Sequence, residues 1–265
     1  MSRRPAQLRS APSGFVLLGA IGAGFIAVPI VGLAFNVPWD DIGALLASRV
    51  LIDALRLSLI SSVAAAALSI VLGLPLAWLL ARRSFPGKAL TRGIVLLPLV
   101  LPPVVGGAAL LFALGRTGIV GSVLESVGGV VLPFSMSGVV IANTFVAMPF
   151  LVITMEGAFR NLDHRFEGAA HSLGAGQWRV FTRVVLPMVR PSLTAGVLLA
   201  WARAFGEFGA TLTFAGSLAG RTRTMPLAVF VALESDRDLA VALSLAMVVV
   251  ALVVLMFLRN RWWGT

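Results

Sequence analysis

Six stretches of the 265-residue chain are each long and apolar enough to cross a bilayer: 14–35, 57–80, 94–114, 138–158, 193–214 and 239–258. About 20 predominantly apolar residues span the roughly 30 Å hydrocarbon core as a helix. In lipid every backbone N–H and C=O must be satisfied internally, which favours helices. The expectation is therefore an all-α integral membrane protein of six transmembrane helices, a single transmembrane domain over residues 1–265. Composition agrees: 58% of residues are hydrophobic and 12% charged, against about 25% charged in soluble domains. That shortage of polar residues excludes a disordered chain, a collagen-like chain and a nucleic-acid-binding module. With no cysteine there are no disulfides, thiolate metal sites or cysteine nucleophiles.

The net charge of +10 reads as topology rather than as affinity for nucleic acid. Met1–Ser13 carries Arg3, Arg4 and Arg9; 82–92 carries Arg82, Arg83, Lys88 and Arg92; 159–192 carries Arg160, Arg165, Arg179, Arg183 and Arg190; the C-terminal tail carries Arg259 and Arg261. Fourteen of the 21 basic residues thus fall on one side, while Asp40, Asp41, Glu125, Glu234, Asp236 and Asp238 fall on the other. The positive-inside rule puts both termini in the cytoplasm and the 36–56, 115–137 and 215–238 connections outside. The first stretch is too long, and lacks the small-residue cleavage site, for a removable signal peptide.

The third stretch is unusual. Pro98, Pro102 and Pro103 precede Gly106 and Gly107, and each proline removes a donor and crowds the preceding turn. An uninterrupted helix is not expected there. Broken backbone at that depth is buried in protein or lines a cavity, so these five residues are candidates either for a packing kink or for a transport pathway.

Catalytic constellations are nearly absent. The sole lysine, Lys88 in Phe85-Pro86-Gly87-Lys88, lacks the upstream glycine and following hydroxyl of a phosphate loop, so the chain is expected neither to hydrolyse ATP itself nor to bind a cofactor. His164 and His171 have no matched third ligand, and no metal is expected. There is no tyrosine and no hydrolytic carboxylate pair.

The segment 163–187 carries more. Asp163 can cap a short helix and Gly174 can end it in a left-handed turn. Gly168, Ala169 and Ala170 give it a small-residue face that another protein's backbone can approach, and Phe166 and Leu173 offer apolar anchors. Ala169, Ala170, Gly174, Leu186 and Pro187 match the E-A-A-x3-G-x9-I-x-L-P signature of bacterial ABC-importer permeases, with Val184 for isoleucine and the glutamate one place early, as Glu167. The chain resembles that family. The resemblance implies a type I ABC-importer fold with a cytoplasmic coupling helix, a homodimer in the bacterial plasma membrane, two ATP-binding-cassette subunits holding ATP and Mg, and an extracytoplasmic binding protein.

A second run, Ala202-Arg203-Ala204-Phe205-Gly206-Glu207-Phe208-Gly209-Ala210-Thr211-Leu212 followed by Arg221-Thr222-Arg223-Thr224-Met225-Pro226, is similar to the fifth span of molybdate permeases. It implies molybdate or the near-isosteric tungstate as cargo, with sulfate or thiosulfate as the rival in the same class. From other classes there remain a membrane-embedded enzyme and a secondary carrier, the latter commonly marked by internal repeats and by ion-coupling carboxylates inside the spans, for which Glu207 alone is a candidate. Arg203 and Glu207 lie four apart, so they are expected to meet on one helix face, pointing inward.

Overall fold

The computed structural model describes residues 13–262, with side chains from 14 to 256. The N-terminal arginines and the side chains of Arg259 and Arg261 lie outside the described residues. Among those described, regular structure is helical throughout. Four helices are long and apolar enough to cross a membrane unbroken: α1 (Ser13–Phe35), α3 (Arg49–Arg82), α7 (Met136–Asn161) and α13 (Arg237–Trp262). Short α2 (Ile42–Leu46) lies between the first two.

The other two expected spans are broken, each for a local reason. The third divides into α4 (Lys88–Val100) and α5 (Pro103–Leu114). Pro98 is accommodated inside α4, and the break falls at Leu101–Pro102, where Pro103 takes the first turn of α5, a position that needs no N–H. The fifth divides into α10 (Arg190–Phe205) and α11 (Gly209–Ala215). Between α7 and α10 lie α8 (His164–Ser172) and α9 (Gln177–Met188), the latter bent 77° from α10. If that bent pair is one span, five helices pass the membrane test among the described residues.

Two expected boundaries are corrected. The second span begins at Arg49 rather than 57, because Ser48 caps it by accepting from the Leu51 amide (3.4 Å); at 1.5 Å per residue its 34 residues reach about 51 Å, more than the hydrocarbon core needs. The 215–238 connection is no simple loop. It contains α12 (Met225–Ser235), whose Met225 amide donates to Ser58 Oγ of α3 (2.7 Å). Met225, Ala228 and Ala232 pack with Leu51, Ala54 and Leu243, so α12 turns back into the bundle. The 115–137 connection likewise holds α6 (Gly121–Gly128).

At the centre α7 packs on α3, α10, α5 and α11. Its Leu151, Met155 and Phe159 are buried with Leu80 of α3, Val95 of α4 and Val185 of α9; its Ala142 and Val146 are buried with Ala210 and Phe214 of α11. α1 packs lightly, against α13, and none of its apolar window is buried within the chain.

Candidate functional site

The two broken spans meet close to their breaks. Gly107 of α5 and Gly209 at the start of α11 are both buried. A Cβ on Gly107 would stand 2.7 Å from the Ala210 carbonyl oxygen and 2.8 Å from Thr213 Cβ; one on Gly209 would stand 2.9 Å from Pro103 Cβ. Backbone therefore touches backbone at this crossing, as small residues permit in membrane bundles. Gly106 faces Phe145 of α7. Of the five candidate pathway residues, Gly106 and Gly107 are packing positions, Pro103 starts α5 against Gly209, Pro102 precedes it exposed, and Pro98 lies within α4.

Arg203 and Glu207 do pair, though not along one unbroken helix. Arg203 Nη1 contacts Glu207 Oε2, and the glutamate side chain is 1% exposed. Glu207 stands in the break, past the end of α10. Its Oε1 accepts from the Ala210 amide (2.7 Å), so it also satisfies an otherwise orphaned N–H in the first turn of α11. One carboxylate thus anchors the arginine of the helix before it and the backbone of the helix after it.

The 163–187 segment forms a platform beyond the ends of α3 and α7. Asp163 Oδ1 accepts from the Arg165 amide (2.9 Å), capping α8. Gly174 has φ +80°, with Gly174 N–H bonded to His171 O (2.9 Å) and Ala175 N–H to Ala170 O (3.1 Å). This is the Schellman pattern, in which a left-handed residue ends the helix. Phe166 and Leu173 are exposed, the latter 89%, as is Trp178. Gly168 and Ala169 face outward with them. Ala170 does not: it packs inward against the core, which removes it from the approachable face. Glu167 also turns inward. Leu186 and Pro187 close α9, where Phe181–Val185 forms a π turn and the Leu186 amide reaches back to Phe181 O. Pro187 has no N–H to offer, and the wider turn sits immediately before it.

Several paired polar side chains were not singled out from sequence. Arg82, at the end of α3, is only 7% exposed and bonds Glu167 (2.5 Å), Leu162 O (3.2 Å) and the His164 ring (2.7 Å to Nε2), with its guanidinium 5.5 Å from the Trp78 ring centroid. Glu156 is a buried carboxylate within the fourth span, contacted by Arg92 of α4 and by Arg160 (2.9 Å), so Glu207 is not alone in that class. Its 138–158 position made it visible. Asn143 of α7 donates to Ser61 of α3 (3.3 Å) and accepts from Thr211 of α11 (3.1 Å), tying three helices in the buried interior. Among the described residues no cluster of three or more His, Cys, Asp or Glu could hold a metal ion.

A bundle of membrane-crossing helices with two broken spans packed face to face and a capped, outward-facing helix on a short platform defines a multi-pass transporter subunit. The chain belongs to the family of binding-protein-dependent transport system inner membrane components, whose pattern matches residues 70–262. It is 47% identical over 93% of its length to the molybdenum transport system permease protein ModB of Mycobacterium tuberculosis, covering 94% of that protein. To the sulfate transport system permease protein CysW of Synechococcus elongatus it is 39% identical, over 69% of this chain and 64% of that one. Its fold is that of the bacterial ABC transporter involved in import of alginate (TM-score 0.71, 21% identity, 93% of this chain and 94% of that one). The chain is thus a multi-pass inner-membrane protein with a type I ABC-importer permease fold.

Proposed function

We propose that this chain is the membrane-spanning subunit of an ATP-driven importer that moves molybdate, or tungstate, into the cytoplasm. The observation that carries this reading is the 47% identity to a molybdenum permease across nearly the full length of both chains. The sulfate permease is less similar and matches less of either chain, so molybdate is favoured over sulfate.

Two copies form the translocation unit, with a pathway between them. The apolar side chains of α1, left exposed although the helix touches α13, support pairing. Both termini and α8 lie in the cytoplasm, which the clustering of Arg82, Arg83, Lys88, Arg92, Arg160 and Arg165 at that end supports. α8 seats in a separate ATPase subunit through Phe166, Gly168, Ala169 and Leu173; ATP and Mg are held there and not by this chain. A loaded extracytoplasmic binding protein docks on the opposite end.

External energy is required because bringing a dianion in against an inside-negative potential costs about 2.3 kcal/mol per charge per 100 mV. The permease contributes no bond chemistry. It supplies two arrangements of the bundle whose balance nucleotide and loaded binding protein both bias. Arg82 transmits that bias: it joins α3 to α8, so a tilt of one displaces the other.

The test is uptake of labelled molybdate by cells whose only oxyanion importer is this system, competed with excess sulfate or tungstate. Uptake that tungstate suppresses, that sulfate does not, and that fails when the ATPase phosphate-loop lysine is replaced is the expected result. Sulfate suppression with equal potency would transfer the assignment to a sulfate permease.

A further inference from the structure

At the end of the bundle opposite α8, two arginines face one cavity. It measures about 490 Å³ and is walled by Leu111, Val131, Phe134 and Leu218, with Arg116 and Arg221 on its lining. Two other arginines at this end are hydrogen-bonded within the chain: Arg223 donates to Ser217 Oγ (3.1 Å) and Ser217 O (3.2 Å), and Arg237 to Asn36 Oδ1 (2.8 Å). Arg221 has no carboxylate partner among the described residues. Arg116 has Glu125 at 3.3 Å, with the arginine side chain 68% and the glutamate 35% exposed. Such a solvated pair contributes little and yields readily to a stronger anion.

Both arginines stand on rigid turns. Arg116 follows α5 in a turn closed by Gly118 N–H to Gly115 O (2.8 Å) and Val120 N–H to Ala113 O (2.9 Å). Arg221 sits in a loop where the Thr222 and Arg223 amides both donate to Leu218 O (2.9 and 3.0 Å) and Thr222 Oγ1 accepts from Leu218 N–H (3.0 Å). The wall residue Phe134 holds φ +56°, a left-handed conformation that a non-glycine residue keeps only where its surroundings enforce it. Because α5 and α11 cross at Gly107 and Gly209, the cavity opens above the outer ends of both broken spans.

From this geometry we infer that the cavity is a capture site for a tetrahedral oxyanion dianion, held between the guanidiniums of Arg116 and Arg221 before it enters the bundle. Planar guanidinium forks match oxyanion edges with paired charge-assisted hydrogen bonds. The anion's identity as molybdate rests on the import reading above; the existence of an oxyanion site does not. The competing occupant is an acidic surface of the binding protein.

The test uses the assembled permease–ATPase complex in lipid nanodiscs, without binding protein, titrated at low salt with labelled molybdate and separately with labelled sulfate. Arg116→Gln and Arg221→Gln should each weaken anion binding by roughly tenfold, while Arg237→Gln on the same end leaves it unchanged. Glu125→Gln should tighten binding, because it removes the carboxylate that competes for Arg116. A double arginine variant that binds like the parent, or a Glu125→Gln variant with unchanged or weaker binding, overturns the site; the Glu125 arm retains both cations and decides the matter if the arginine variants fail to assemble. Arginine-dependent binding of sulfate but not molybdate supports the oxyanion site and overturns the molybdate reading instead. Arginine-independent anion binding, together with lost ATPase stimulation by loaded binding protein, assigns the pair to protein docking, overturning the site while the import reading stands.

Discussion

Arg82 meets Glu167 at 2.5 Å across 85 positions of sequence, and the pair is the charged tie between the longest membrane helix and the short helix α8. Removing one member of a buried pair costs about 3–5 kcal/mol because the other charge is left without compensation. Arg82→Gln and Glu167→Gln should each lower the unfolding temperature of the purified permease and reduce uptake at least tenfold. Arg82→Lys should fall between, since it keeps the charge but loses the fork and the contact with Trp78. Thermal unfolding in detergent and uptake by vesicles check both.

The Arg203–Glu207 pair should show an asymmetric response. Glu207→Gln keeps an oxygen to accept from the Ala210 amide, whereas Arg203→Gln strands a carboxylate that is 1% exposed. The expected order of uptake is Arg203→Gln lowest, Glu207→Gln intermediate, and the double variant highest of the three, measured after insertion and ATPase assembly are verified. A double variant no better than Arg203→Gln would give the guanidinium a direct role on the anion route.

At the helix crossing, Gly107→Ala and Gly209→Ala should each destabilise by about 1–3 kcal/mol, the usual cost of overpacking, since the new methyl meets atoms within 2.9 Å. Gly157→Ala, with nothing within 4 Å, is the neutral comparison. Denaturation midpoints of the three variants provide the check.

On the platform, Ala169→Trp and Ala170→Trp should fail differently. Ala169 is exposed, so the first variant should fold normally and lose ATPase capture in a pull-down. Ala170 packs inward, so the second should lower thermal stability as well. Gly174→Val should add about 1–2 kcal/mol of backbone cost at φ +80° and reduce capture through the displaced end of α8.

Topology is open to cysteine labelling because the chain has no native cysteine. Ser126→Cys and Ala219→Cys should react with an impermeant thiol reagent on intact cells, and Ser172→Cys only after the membrane is opened. Ala219 is exposed, whereas Ser217 holds Arg223.

What the sequence made legible was local. Apolar length marked the spans, Pro102-Pro103 marked the α4/α5 break, and Asp163 and Gly174 marked both ends of α8, because each signal acts through a backbone only a few residues away. What it hid was set by tertiary approach. Nothing near Glu167 announces Arg82, and Asn143 meets Ser61 and Thr211 only when three helices are assembled. The packed helix α12 reads as a connection because its 11 residues are too short to pass for a span. Glu156 was visible but reads as the polar end of its helix until Arg92 arrives from α4.

The π turn at Phe181–Val185 fixes the chain length between α8 and the membrane. A π turn is an α-helix carrying one surplus residue, and each residue in an α-helix turns the chain by about 100°. Deleting a single residue here would regularise the helix and swing everything before it, Trp178 and α8 included, by that angle relative to α10. Every residue of α8 would then be intact and its exposed face would point elsewhere, so this stretch should accept side-chain changes far more readily than a change in register.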